Sequence, residues 1–218
     1  MVDGLRLQPV YSVSQRNTMG YEVLSRVNGA KNCEAYFSGL CCSELFLLLL
    51  EQLNALKKIN DSKRYFLNLP VRLLCQEKKM KQLLSLWQDN FIIELQDPEN
   101  FSSLDRQMQY SLQRNLTLLQ RSGVSIWLDD LMPEYLRFLS SFMFSFDGIK
   151  IDKHAFWHLT DKPEILQEFI NCCLLLSGQV LIEGVENYSH YTMAAESGAT
   201  HLQGFYWRES LISLNNKI

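Results

Sequence analysis

Short apolar runs alternate with longer stretches of helical spacing along nearly the whole chain. Residues 5–13 and 20–26 read as two strands joined by the polar turn Ser14-Gln15-Arg16-Asn17. Phe46, Leu49, Leu50, Leu53 and Leu56 then recur at the spacing of one buried helical face, which predicts a helix over 43–58. Compact strands are predicted at 64–68, 91–94, 124–130, 146–151 and 179–182, with a short one ending at Gln203. Helical patterns at 78–87, 103–120, 134–139, 163–176 and 188–197 separate them. Such alternation is the signature of a parallel α/β fold, and seven or eight strands favour a closed, TIM-like (β/α)8 barrel over an open sheet. No Pro/Gly-rich linker interrupts the pattern, so residues 1–218 are expected to form a single domain.

The polar residues fall at consistent places. Asn68, Glu94, Asp129, Asp130, Lys150, Glu183 and Gln203 each lie at or just past the carboxyl end of an apolar strand. In a barrel those ends converge on the face where the loops build active sites. The stretch Val124-Ser125-Ile126-Trp127-Leu128-Asp129-Asp130 is the most informative. In a pleated strand its two carboxylates point to opposite faces, but a chain leaving the sheet can turn both to one spot. One reading makes the pair the N-cap of a following helix. The other makes it the centre of a cation site, because carboxylates brought this close repel unless they share protons or a cation. Hard oxygen ligands suit Mg²⁺ or Mn²⁺, and a two-metal centre serves phosphoryl hydrolysis. Lys150, two residues before Asp152, is then placed to steady an attacking hydroxide or a phosphate oxygen; the plainer alternative is a structural Lys–Asp ion pair.

Composition narrows the field. Lys+Arg 21 against Asp+Glu 24 gives a net charge of −3, which argues against a duplex nucleic-acid surface or a polybasic membrane anchor. The apolar run 45–50 is too short to span a bilayer, and the opening residues do not read as a signal peptide. Cys33, Cys41, Cys42, Cys75, Cys172 and Cys173 form no zinc or disulfide spacing, which predicts buried free thiols in a cytoplasmic protein. The four histidines make no ligand pair and read as surface or structural groups. The tryptophans read as packing, Trp207 being the one that follows the rim residue Gln203 closely enough for a stacking role.

Taken in order, Tyr21-Glu22-Val23-Leu24-Ser25-Arg26, Asn68-Leu69, Glu94-Leu95-Gln96-Asp97, Asp129-Asp130, Lys150-Ile151-Asp152, Glu183-Gly184-Val185-Glu186 and Gln203-Gly204-Phe205 resemble the motifs of EAL-domain cyclic di-GMP phosphodiesterases. The resemblance runs from Gln8-Pro9-Val10 to about Trp207. It implies a barrel that hydrolyses cyclic di-GMP to linear pGpG with two Mg²⁺ or Mn²⁺ ions. Glu22, Asn68, Glu94 and Asp129 would hold one metal, and Asp129, Asp130 and Glu183 the second. Lys150, Glu183 and Asp130 would act on the water and phosphate. Leu24, Arg26 and Gln203 would meet the dinucleotide, with Asp97, Asp152 and Glu186 in support.

The chain departs from that pattern after the aspartate pair. Leu131-Met132-Pro133-Glu134 replaces a loop the family builds on two glycines, Gln96-Asp97 replaces Thr-Glu, and Pro70 replaces a serine. Glycine angles are costly for Met and Glu, and Pro133 fixes its own and removes a donor. Three readings follow: a working phosphodiesterase; a degenerate member that binds cyclic di-GMP or a regulatory protein without catalysis; and a barrel hydrolase for another phosphodiester. The altered loop also leaves room for a homodimer with a changed contact.

Overall fold

The computed structural model describes residues 2–28, 33–59, 61–96, 98, 101, 104–142 and 144–214, without the side chains of 33–35, 138, 140 and 141. Strand β1 (Val2–Ser12) turns back into β2 (Asn17–Val27). Two helices follow, α1 (Cys33–Ser38) and α2 (Cys42–Leu56), which buries the face carrying Phe46, Leu49, Leu53 and Leu56. From β3 (Arg64–Pro70) onward, strands and helices alternate. Helices α3 (Val71–Leu74) and α4 (Glu77–Leu84) lead to β4 (Phe91–Gln96), and α5 (Arg106–Arg121) leads to β5 (Ser125–Leu131). A 3-10 turn (Pro133–Tyr135) and α6 (Leu136–Ser141) precede β6 (Gly148–Ile151). Helices α7 (Lys153–Leu159) and α8 (Pro163–Ser177) precede β7 (Val180–Ile182), and α9 (Tyr188–Glu196) precedes β8 (His201–Gln203) and β9 (Ser210–Ser213).

Strands β2 to β8 pair in parallel in chain order, and β1 closes the ring by running antiparallel to both β8 and β2. This is the TIM-like barrel expected from the alternation, with one strand reversed. Strand β9 extends the sheet from the free half of β1, pairing Leu7 with Ser210 and Gly4 with Ser213. Neither β9 nor α7 is foreseen in the hydrophobic pattern. The helix expected from 103 begins at Arg106, where the Asp105 carboxylate accepts from the Met108 amide at 2.7 Å.

Period two sorts each strand into an outer and an inner set. Leu67, Ile93, Leu128, Ile149, Ile182 and Leu202 pack outward into the layer shared with the helices. Val10, Phe66, Ile92, Trp127 and Leu181 fill the lower barrel as a separate buried cluster. The Trp127 indole fits there because β6 opens with glycine: a Cβ on Gly148 would lie 2.3 Å from Trp127 Cδ2. The apolar plug closes the base of the barrel and leaves its upper layer to polar groups. The thiols are not uniformly buried, since Cys173 is buried while Cys41 and Cys172 are exposed.

Candidate metal centre at the barrel rim

One inner step above the plug, every strand of the ring presents a polar side chain: Gln8 (β1), Glu22 (β2), Asn68 (β3), Glu94 (β4), Asp129 (β5), Lys150 (β6), Glu183 just past β7, and Gln203 (β8). Lys150 lies at the centre, 1% exposed, with Nζ 2.8 Å from Asp129 Oδ1, 2.8 Å from Glu183 Oε1, 2.9 Å from Glu94 Oε1 and 3.3 Å from Glu22 Oε2. Its ion partners are these four acids and not Asp152, so the simple Lys150–Asp152 pair does not form. Asn68 Nδ2 donates to Glu22 Oε1 at 2.9 Å. Gln203 Nε2 donates to Glu22 Oε2 at 2.6 Å and to Gln8 Oε1 at 3.1 Å, which adds Gln8 to the rim.

The aspartate pair is not a helix cap; the 3-10 turn after it starts at Pro133 behind Met132. Nor does the chain leave the sheet at the pair. Strand β5 continues to Leu131, and the pairing with β6 slips between Leu128 and Leu131. Asp130 occupies the slip with φ +53°, a left-handed conformation open to Asp at modest cost. This bulge lets both carboxylates serve the rim where a regular pleat would turn Asp130 away.

The acids form two overlapping triads, Glu22–Glu94–Asp129 and Asp129–Asp130–Glu183, in each of which one oxygen per residue lies within 4.8 Å of the others. Asn68 Oδ1, Gln203 Oε1 and Glu94 Oε2 are buried with no hydrogen-bond donor, while Asp129 Oδ1 and Glu94 Oε1 face the Lys150 ammonium. Buried acceptors without donors are rare, and a cage of oxygens suits a hard divalent cation. Electrostatics agrees. Asp129's charge, then burial, pushes Asp130 up to about 8. Burial, reinforced by the neighbouring acids, pushes Glu183 to about 7 and Glu94 well above the carboxylate range. For Glu22, burial is outweighed by Lys150, Asn68 and Gln203, and its carboxyl ends below the usual value. Burial opposes the charge on Lys150, yet the four carboxylates raise its pKa well above normal.

Residues 4–210 match the EAL domain. The chain belongs to the EAL domain family. Among curated relatives, the signaling protein YkoW of Bacillus subtilis is 25% identical over 224 residues, covering 93% of this chain and 27% of its own length. Among solved structures, a manganese/cy-diGMP complex of Klebsiella pneumoniae BlrP1 superposes with a TM-score of 0.80 at 20% identity, covering 98% of this chain and 57% of BlrP1. The Bacillus subtilis YkuI protein, with an EAL domain and in complex with c-di-GMP and calcium, gives 0.77 at 19% identity over 98% of this chain and 56% of YkuI. The chain thus spans about a quarter of YkoW and just over half of BlrP1 and YkuI.

Not every expected EAL site residue is gathered in. Leu24 is half-buried, and Arg26 donates to Asp3 at 2.8 Å beside the β1–β2 ribbon. Asp152 caps α7 by accepting from the His154 amide at 2.6 Å. Glu186 is exposed, and Asp97 lies outside the described residues. The departing loop adopts no glycine-like angles: Met132 is extended at φ −101°, and Pro133 sits at the first position of the 3-10 turn, where no amide donor is needed. The stretch is accommodated by a different conformation, not by strain. Trp207 stacks on Tyr11 at 4.9 Å between ring centroids. His201 is buried and burial lowers its pKa to about 4, a structural histidine as expected. Among the described residues, no helix is long and apolar enough to cross a membrane.

Proposed function

We propose that the protein is a metal-dependent phosphodiesterase that hydrolyses cyclic di-GMP to linear pGpG. The observation that carries this reading is the pair of carboxylate triads that share Asp129. Glu22, Asn68, Glu94 and Asp129 would hold one Mg²⁺ or Mn²⁺, and Asp129, Asp130 and Glu183 the other. Two such ions supply Lewis acidity to the scissile phosphodiester and lower the pKa of a water. The chain's own residues do the rest. Asp129 belongs to both triads and so ties the two halves of the site together. Lys150 keeps a fixed positive charge beside the reacting phosphate, where it steadies the water and offsets developing negative charge. Glu183 and Asp130 are the acids nearest the second triad's open side and accept the proton the water gives up. Attack of the water oxygen forms a new P–O bond and breaks one P–O3′ bond; the O3′ takes up a proton and leaves as the 3′-hydroxyl, with a 5′-phosphate on the opened dinucleotide. Leu24, Arg26 and Gln203 are assigned to dinucleotide contact on the resemblance alone, and Asp97 to bracing the loop.

The ligands bound in the BlrP1 and YkuI structures support the assignment of substrate and ion class. We read residues 1–218 as one domain and place it in the cytoplasm. Purified protein with Mg²⁺ or Mn²⁺ should convert cyclic di-GMP to pGpG, with Glu22→Gln lowering turnover at least a thousandfold. Absence of turnover with both metals at micromolar enzyme rejects the reading. The Pro-started turn after Asp130 favours a second one, in which the dinucleotide or a regulatory protein is bound without cleavage. Tight nucleotide binding by calorimetry without product selects it, and a homodimer with an altered contact is compatible with either.

A further inference from the structure

The second carboxylate triad is assembled from two strand ends, the β5 bulge with Asp129 and Asp130, and the residue after β7, Glu183. Those ends must keep their spacing to a fraction of an ångström, and β6 lies between them. Helix α7 spans the gap. At its start, the Asp152 amide donates to the Leu131 carbonyl at 3.2 Å, and the Asp152 carboxylate caps the helix through the His154 amide. At its far end, the Trp157 indole N–H donates to the Gly184 carbonyl at 2.8 Å.

The backbone around Glu183 is otherwise pinned by the sheet. The Glu183 amide donates to Ile151 at 3.1 Å, and the Val185 amide donates to Gln203 at 3.0 Å. Gly184 lies between them with φ +74°, and its carbonyl is reached by side chains: the Trp157 indole, and the His190 ring at 3.3 Å. A Cβ on Gly184 would lie 2.6 Å from Lys153 Cβ and 2.8 Å from Trp157 Nε1. The close approach of α7 and the left-handed turn thus both require glycine here.

We infer that Trp157 is a positioning residue, which acts through the Gly184 carbonyl to fix Glu183 against Asp129 and Asp130. The inference rests on the proposed metal-dependent reading for its consequence, but its geometry belongs to the protein alone. Partners that orient a ligand are commonly worth 10–100-fold in metal affinity.

Three measurements test it. In the wild-type protein without metal, the Trp157 indole N–H should exchange with solvent at least tenfold more slowly than a free indole. Exchange at the free rate overturns the inference with no variant needed. In Trp157→Phe, which keeps a ring and loses the donor, the amides of Val185 and Glu186 should exchange at least tenfold faster, while those of β3 and β4 stay unchanged. Uniform loosening, or none, assigns Trp157 a packing role and overturns the inference. Calorimetry with Mn²⁺ should then show one of two sites weakened at least tenfold in Trp157→Phe and the other unchanged, with partial recovery in Trp157→His, which retains a ring N–H. Two unaltered sites also overturn it. If the wild-type protein takes up no Mn²⁺, the phosphodiesterase reading falls, and the exchange measurements still decide what Trp157 does.

Discussion

Replacing Lys150 by Met removes the charge around which the rim is built and keeps a side chain of similar length. Four carboxylates lie within 3.3 Å of Nζ, and the lysine side chain is 1% exposed. Breaking a buried ion pair by removing one partner costs about 3–5 kcal/mol, because the remaining charge is stranded. Here the acids have an escape, since they can take up protons. Holding one carboxyl of ordinary pKa near 4 protonated at pH 7.5 costs about 5 kcal/mol, at about 1.4 kcal/mol per pH unit. Glu183 at about 7 and Asp130 at about 8 are already part-way there. The expected loss is therefore about 3–5 kcal/mol. At roughly 2–4 °C per kcal/mol for a chain of this size, Lys150→Met in EDTA should melt about 6–20 °C below wild type. Mn²⁺ should reverse much of that. An ion at a hundredfold excess over its Kd adds about 2.7 kcal/mol, and it meets less competition once the ammonium is gone. The variant should gain more from Mn²⁺ than the wild type does, while losing turnover. Differential scanning fluorimetry with and without metal measures both increments. A variant that melts within 2 °C of wild type in EDTA, or that gains less from Mn²⁺, would show that Lys150 does not neutralise the cage.

Two other outcomes are expected. Asp130 and Glu183 have folded-state pKa values raised to about 8 and 7 from unfolded values near 4, so folding retains protons between those limits. Their stabilising effect is complete below about pH 4 and is lost as pH rises through 7–8. In EDTA, melting temperature should thus fall from pH 6 to pH 9, and Mn²⁺ affinity should rise over the same range because metal binds the deprotonated acids; a melting temperature that climbs toward pH 9 in EDTA contradicts the raised values. Gly148→Ala forces a methyl against the Trp127 ring, 2.3 Å from Cδ2. It should cost about 1–3 kcal/mol in thermal or urea unfolding, and an unchanged midpoint would mean that the barrel floor can shift freely.

The parts of the rim legible in the sequence are those that obey period two. Phe66-Leu67-Asn68, Ile92-Ile93-Glu94 and Leu181-Ile182-Glu183 each place an inner apolar residue two positions before an inner polar one, and strand pattern alone stacks them. Gln8 escapes because β1 runs the other way, so its rim position falls inside the strand instead of at its carboxyl end. A lone amide between Leu7 and Pro9, on the same strand face as Val10, was the available signal. Helix α7 escapes for another reason. Only Ala155, Phe156 and Leu159 mark its buried face, too few for a period, and it follows β6 after Asp152 alone. The usable cue was Asp152 itself, an N-cap residue directly after a strand.

The bulge at Asp130 marks the limit of local reading. No rule of propensity places φ +53° at one aspartate of an adjacent pair, and the pleat argues against both facing inward. The conformation is fixed by what surrounds it. Leu131 is buried and paired with Ile151 beyond the slip, so the strand must resume its register within two residues. A left-handed residue achieves this by inserting one position into β5 without moving β6. The same insertion brings Asp130 beside Asp129 and Glu183, and that proximity is what raises its pKa. Repulsion is thus concentrated at one residue, and a divalent cation shared among the three acids would relieve it. Held there by buried neighbours on either side, the pair is unstable as a bare surface and coherent as a ligand set. Chemistry at this rim therefore depends on the bulge as much as on the identity of the acids.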